Sequence, residues 1–337
     1  MIILNKIYEH IKQFIKEEYK FLLIIVFLFL LFTVELPYVI YTPGGAINLE
    51  KRISIEDGYS SKGKLQMAYV TMVKGSVPYI LLSKVLPNWD LEKKEAIKYE
   101  DETMKDMLFR DKIYLQEAVD NATLVAYENA NKTPVITKSI NHVVYISAEA
   151  DTTLKIRDII LSVNEEDISS LEEYKEIIAR GSAGDILSLK VLRNNKEKEC
   201  TIKIYETEAG LKTGLQIITT YEYTTEPKLD IKSKSSESGP SGGLLMALSI
   251  YDALTEEDLT RGKNIIGTGT IDREGNVGAI GGVKYKLIGA VKKKADIFIC
   301  PVENYEEAMK IKNEHNYKIK IIKVSSFQEA IQELLKG

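Results

Sequence analysis

The chain has 337 residues, 45% of them hydrophobic and 28% charged, and its 45 basic and 49 acidic side chains leave a net charge of −4. That composition is ordinary for a folded protein. It excludes collagen, disulfide-scaffold and wholly disordered classes, and it argues against a dedicated nucleic-acid binder, which carries a basic excess. At ~150 residues per domain the length implies about two domains. The two cysteines, Cys200 and Cys300, are 100 residues apart and form no CxxC pair. A single disulfide and two separate buried thiols are both open, and the apolar, strand-like run around each favours thiols. Neither a metal nor a cofactor is expected.

Phe21 to Val34 reads FLLIIVFLFLLFTV, fourteen residues without a charge. As a helix that run spans ~21 Å, short of a ~30 Å hydrocarbon core, and continuing to Ile40 reaches ~30 Å. Pro37 ends or kinks the helix. Lys6, Lys12, Lys16 and Lys20 precede the run, and no basic residue follows until Lys51. These features predict a cytoplasmic tail over 1–20, a transmembrane helix over 21–40 and the rest of the chain outside the cell, that is, a single-pass protein of the cell membrane. A cleaved signal peptide and a buried core helix are the alternatives. The long charged prefix and the lack of an A-x-A site favour an uncleaved anchor.

Thr42-Pro43-Gly44-Gly45 reads as a turn. Lys64–Lys74 reads as a strand, Ile80–Val85 is an apolar run, and residues 87–112 form a charged loop or short helix. Tyr114–Asn129 carries apolar positions at helical spacing, ending a segment assigned to 41–130. From Asn141 the pattern changes. His142–Ser147 is a strand, KIRDIILSV over 155–163 is a turn and strand, and Ser170–Arg180 is an amphipathic helix. Two strands then pair around Asn194-Asn195. The order of elements and the run LKIRDIILSVNEEDI resemble a bacterial PDZ domain over residues 131–206, with Arg157 and Glu165 standing where such domains carry glycine. The resemblance implies capture of an extended peptide by strand addition.

Gly239-Pro240-Ser241-Gly242-Gly243 runs directly into LLMALSIYDAL, apolar nearly all round and hence a buried helix. Ser241 therefore sits on a glycine-rich turn at a helix N-terminus, where backbone N–H groups lack intrahelical partners. Such a serine suits attack on a carbonyl with the amides holding the oxyanion. It equally suits anion binding or simple capping. NIIGTGTI over 264–271 is a strand, a Gly281-Gly282 turn opens a second helix, and ADIFICP over 295–301 is a buried strand. GPSGG, GTGTIDREGNVGAIGGVKYK and ICPVEN, in that order, resemble the proteolytic domain of the Lon family over residues 207–337. The resemblance implies a Ser-Lys dyad with Ser241 as nucleophile and Lys284, 43 residues on, as general base. It further implies that Thr268 orients the lysine and that Gly239 and Pro240 shape the oxyanion turn. Lys286, about 200° from Lys284 around a helix, is expected on the solvated face with Lys292, Lys293 and Lys294. Ser238 stands where the family places an acidic residue, with Glu237 one step earlier. Of the three histidines, His10, His142 and His315, none is placed to complete a Ser-His-Asp triad unless His315 folds back.

No GxxxxGK[ST] loop occurs in the chain, so no ATP is expected to be used. The whole plan, a mixed α/β proteolytic domain with a β-rich PDZ domain behind one transmembrane helix, resembles the membrane-anchored PDZ–Lon proteases of Gram-positive bacteria. It predicts an ATP-independent serine endopeptidase acting on flexible extracellular or membrane-associated peptides and proteins, with recruitment of substrate and inhibition both open as roles of the PDZ segment. A catalytically silent peptide-binding protein is the alternative, and the oligomeric state is open. Residues 63–85 and 114–129 resemble the opening of a Lon proteolytic domain, which would place the PDZ segment as an insertion within it.

Overall fold

The computed structural model describes residues 2–336. The chain divides into two compact units: residues up to Thr42 with Thr71–Ile97, and Pro43–Val70 with Lys98 onward.

In the smaller unit a helix runs over Ile2–Thr33 and stops. The Leu36 amide bonds the Gly75 carbonyl at 2.7 Å, and a strand begins at Tyr38 with Val39 and Ile40 buried. Its first residues pair antiparallel with Asp90–Lys93, Tyr38 opposite Lys93 and Tyr41 opposite Asp90. Glu35 bridges Lys74 and Lys94.

This arrangement corrects the predicted transmembrane segment. Residues 38–40 spend their backbone hydrogen bonds in a sheet, so they cannot lengthen the helix. What remains uncharged inside it, Phe21–Thr33, spans only about 20 Å, and Lys16, Glu17, Glu18 and Lys20 lie directly before it. Among the described residues no helix is long and apolar enough to cross a membrane. The predicted cytoplasmic tail, membrane anchor and single-pass placement with an extracellular catalytic part rested on that span and fall with it.

In the larger unit, strands Lys320–Val324, Ile297–Pro301 and Asn264–Gly267 follow one another, and residues 64–67 of the strand Lys64–Lys74 come next, parallel at each junction. Both faces of this sheet are covered, which is why IFICP over 297–301 is apolar without alternation. Ile265, Ile297 and Ile299 face a core shared with Leu244, Leu245, Leu248 and Phe327, whereas Ile266, Phe298 and Cys300 face Val283, Leu287 and Ala308. The Gly44-Gly45 pair lies inside a strand, not in the predicted turn. A Cβ on Gly44 would stand 2.0 Å from the Tyr69 carbonyl oxygen, so glycine here permits close backbone approach.

The helix predicted from Tyr114 starts ten residues earlier and covers Met104–Asn129. Thr103 caps it, its hydroxyl accepting from the Asp106 amide at 3.1 Å. The charged composition of this first turn hid it from an apolar-periodicity reading. Cys200 and Cys300 are both buried free thiols.

Residues 135–224 form a second, antiparallel sheet in the order Leu215–Thr224, Val135–Ile146, Ile159–Val163, Ile186–Arg193, Lys196–Lys203. The helix Leu171–Ala179 packs Tyr174, Ile177 and Ile178 into its core, and Ser170 caps that helix. Arg157 keeps the left-handed backbone of the glycine it replaces (φ 80°), as does Glu165 (φ 67°). Arg157 is held by Asp106 at 2.9 Å and lies 4.9 Å over the Phe109 ring, contacts that offset the strain.

Candidate active site

The Ser241 turn is fixed from three sides. The Gly239 amide donates to the Asp111 carbonyl at 2.8 Å, so the long Met104–Asn129 helix holds the start of the turn. The Gly243 amide donates to the Pro240 carbonyl at 3.1 Å and closes the turn ahead of the buried helix Gly243–Leu254. The Ser241 carbonyl accepts from both the Gly269 amide and the Thr268 hydroxyl, each at 2.9 Å. The Ser241 side chain is half-buried. Glu237, one residue before Ser238, is engaged elsewhere, bonding the Arg52 guanidinium at 2.7 Å.

Thr268 is fully buried at the end of its strand and serves as a hub. Its hydroxyl oxygen donates to the Ser241 carbonyl and accepts from the Lys286 Nζ at 3.1 Å. Lys286 is 3% exposed. Burial alone lowers its pKa from 10.5 to about 8, because a low-dielectric site disfavours the ammonium form. Lys284 is half-exposed and lies with its Nζ 5.4 Å from the Tyr285 ring centroid. The structure thus brings Lys286, and not the expected Lys284, to Thr268, and Lys286 does not occupy the solvated face assigned to it from sequence.

The reason is helical phase. Gly282 starts the helix Val283–Lys292 in the left-handed conformation (φ 69°), which glycine adopts without strain. From there Val283, Lys286, Leu287 and Ala290 recur at i, i+3, i+4, i+7, and all four are buried. That periodicity was available in the sequence: Lys286 falls inside the apolar stripe and Lys284 outside it.

His142 and His315 make their contacts elsewhere. His142 bonds Thr220 at 2.9 Å on the second sheet, and His315 ends the helix Val302–Glu314, stacked on Tyr317. Among the described residues no three His, Cys, Asp or Glu side chains converge as metal donors.

A pair of carboxylates lies on the same long helix, facing the second sheet. Asp120 accepts the Tyr221 amide at 2.9 Å and Gln116 at 2.8 Å. Burial nonetheless lifts Asp120 to about 6, and burial with the Asp120 charge lifts Glu117 to about 7. A carboxyl whose folded pKa is raised holds its proton more tightly folded than unfolded. Stability therefore falls as pH rises from about 4 through about 7 and is flat beyond. Glu117→Gln removes its share, so the variant is expected to gain on the order of 2–3 kcal/mol at pH 8 and almost nothing at pH 4. Denaturant unfolding at the two pH values checks this, and an equal change at both would refute it.

Residues 233–337 match the family model of the Lon protease (S16) C-terminal proteolytic domain, and residues 123–204 match that of a PDZ domain. The chain carries a Lon-type proteolytic domain and a PDZ domain. That proteolytic domain is a serine endopeptidase domain. Similar curated proteins include the Lon protease of Aster yellows witches'-broom phytoplasma, 34% identical over 98 residues, 29% of this chain and 12% of that one. The Lon protease of Syntrophomonas wolfei is 28% identical over 171 residues, 46% of this chain and 20% of that one. The chain thus spans only a small part of the length of the relatives it matches. A solved PDZ domain of an SdrC-like protein from Listeria monocytogenes is 18% identical and covers 23% of this chain and 86% of that one, with a TM-score of 0.22.

Proposed function

We propose that the full chain is an ATP-independent serine endopeptidase in which Ser241 is the nucleophile and Lys286 the general base. The carrying observation is the buried path Lys286 Nζ to Thr268 hydroxyl to Ser241 carbonyl, which ties the base and the nucleophile's backbone to one threonine. A lysine at its ordinary pKa is protonated at neutral pH and cannot accept a proton. One lowered to about 8 supplies a useful neutral fraction. The Ser241 hydroxyl loses its proton to Lys286 as its oxygen attacks the scissile carbonyl, and the amides at the helix start stabilise the oxyanion. The proton passes to the departing amine as the carbon–nitrogen bond breaks. A water then attacks the acyl ester, giving its proton to the same lysine, and Ser241 is released. Thr268 holds the amine in place through both halves.

The PDZ segment supports recruitment of an extended peptide. Leu215–Thr224 is an edge strand, and the helix Leu171–Ala179 stands beside it. Lys175, Ile178, Ala179 and Leu211 line a groove of about 330 Å³ there. An added strand finds backbone partners along that edge and apolar contacts in the groove. Asp120 covers the Tyr221 amide and so limits how far such a strand extends. The strand Lys64–Lys74 pairs with Asn264–Gly267, while the PDZ sheet lies between them in sequence. This supports reading the PDZ segment as an insertion in the proteolytic domain.

The test is cleavage of a pool of unstructured peptides by the purified chain without ATP, beside Ser241→Ala. Cleavage by the parent alone supports the proposal, and cleavage by both refutes Ser241 as nucleophile. Ala179→Arg, which fills the groove with a charge, is expected to raise KM about tenfold for peptides that dock there and to leave kcat within about twofold. Unchanged KM across the whole pool would refute recruitment through this groove.

A further inference from the structure

The helix that carries Lys286 begins at a short loop, Ile280-Gly281-Gly282, and that loop is held by one side chain from elsewhere in the chain. Asn304, in the first turn of the helix Val302–Glu314, donates from Nδ2 to the Ile280 carbonyl at 2.9 Å. It also accepts the Ile280 amide at its Oδ1, again at 2.9 Å. The amide thus pairs with both backbone groups of a single residue, as a neighbouring strand would. Asn304 is 8% exposed, so its two bonds form where water does not compete well. Two residues beyond the clamp, the Gly282 carbonyl receives the Lys286 amide at 3.2 Å and the Tyr285 amide at 3.1 Å. The clamped loop therefore sets the start, and hence the rotational phase, of the helix that points Lys286 inward.

We infer that Asn304 is a positioning residue for Lys286, acting through the Ile280 backbone to keep the amine at the Thr268 hydroxyl in its buried place. The inference rests on the reading of Lys286 as general base. A side chain able both to donate and to accept is needed for both bonds. Loss of either leaves a part-buried backbone group without its partner and lets the loop turn. The helix has ten residues, so a change in its first turn alters the lysine directly, one turn further on.

The charged surroundings of Lys286 make the consequence readable in a pH profile. Burial alone shifts the lysine, with no carboxylate or second cation contributing. On the adjoining helix Asn304, Ala308 and Ile311 face inward, while Glu303, Glu306 and Glu307 are exposed. From the strand Ile297–Pro301 comes Cys300, whose thiol burial pushes up to about 12, leaving it neutral. On its own helix Lys284 and Tyr285 are half-exposed and Lys292 is exposed. Any loosening that admits water to Lys286 therefore moves its pKa upward, toward 10.5.

The experiment uses the full chain with Asn304→Leu, which keeps the size and loses both bonds, and Asn304→Ala, which keeps the test open if the first variant fails to fold. Cleavage of the unstructured peptide pool is followed against pH. Labelling of Ser241 by a fluorophosphonate is followed in parallel as a readout independent of the substrate. The expected result is a kcat lowered about tenfold, a KM within about twofold, and a midpoint of the alkaline rise moved up by about one unit in both readouts. A folded variant with the parent's midpoint overturns the inference, whatever its rate, because a merely structural role lowers the amount of active protein without moving the profile. Lys286→Met is run alongside. If it keeps full activity, the reading of Lys286 fails first and this inference falls with it. If it is inactive while the Asn304 profiles stay unmoved, only the role of Asn304 is refuted.

Discussion

Lys286→Met is expected to abolish peptide cleavage, by about 10²–10⁴-fold in kcat, the range that a general base contributes, whereas Lys284→Ala should stay within about threefold of the parent. Methionine keeps the length and packing of a buried lysine without its amine, so the variant should fold. The fold-change then reports chemistry, not a cavity. Two lysines two positions apart thus give opposite results. The physical reason is that Lys286 lies in the apolar stripe of its helix, against Thr268, and Lys284 does not. The parent's kcat should rise with pH around a midpoint near 8, since only the neutral amine accepts the serine proton. A loss of activity in Lys284→Ala with a normal Lys286→Met would assign the base to Lys284 and reverse the reading of burial. A midpoint near 10 would mean that the amine is hydrated in the working enzyme.

Arg110→Met is expected to be the most destabilising of the substitutions considered, by about 3–5 kcal/mol, because it strands a buried charge. Arg110 bonds Glu102 at 2.8 Å, with side chains 8% and 0% exposed, and its guanidinium stacks 4.0 Å over the Tyr99 ring. With the arginine gone, the Glu102 carboxylate has neither water nor a cation, and it must take up a proton or draw in solvent. Arg110→Met with Glu102→Gln should recover most of the loss, since an uncharged pair carries no desolvation penalty of that size. Denaturant unfolding of the two single variants and the double closes the cycle. A single-variant loss under about 1 kcal/mol would show the pair to be solvated. The effect reaches the active site through position 111, whose carbonyl holds the Gly239 amide ahead of Ser241. Residual cleavage by folded Arg110→Met should accordingly be lower than its folded fraction explains.

The sequence by itself determined the local elements that position the chemistry. The apolar run after GPSGG could only be a buried helix, and the glycine-rich turn placed Ser241 at its start. IFICP over 297–301, apolar at every second and every intervening position, reads as a strand covered on both faces. The PDZ order of strands and helix was legible because alternation and caps such as Ser170 are encoded locally, and even Arg157 and Glu165 hold the backbone that the missing glycines would have taken. What failed was decided by partners far along the chain. The run from Phe21 reads as continuous with Val39 and Ile40 until strand pairing claims the latter for a sheet. Gly44-Gly45 reads as a turn until the Tyr69 backbone comes within reach of it.

The choice between Lys284 and Lys286 stands between these cases. Its periodicity was present in the sequence, but the motif's fixed step outweighed it, and only the packed helix shows which amine loses its water. The clamp of Asn304 on Ile280 and the hub at Thr268 join residues 24 and 18 positions from their partners. Propensity and periodicity act over a few neighbours, so they carry no information about which distant side chains meet. That is fixed when the two faces of the sheet are covered, and with it the burial that lowers the pKa of Lys286 and not of its neighbours on the surface.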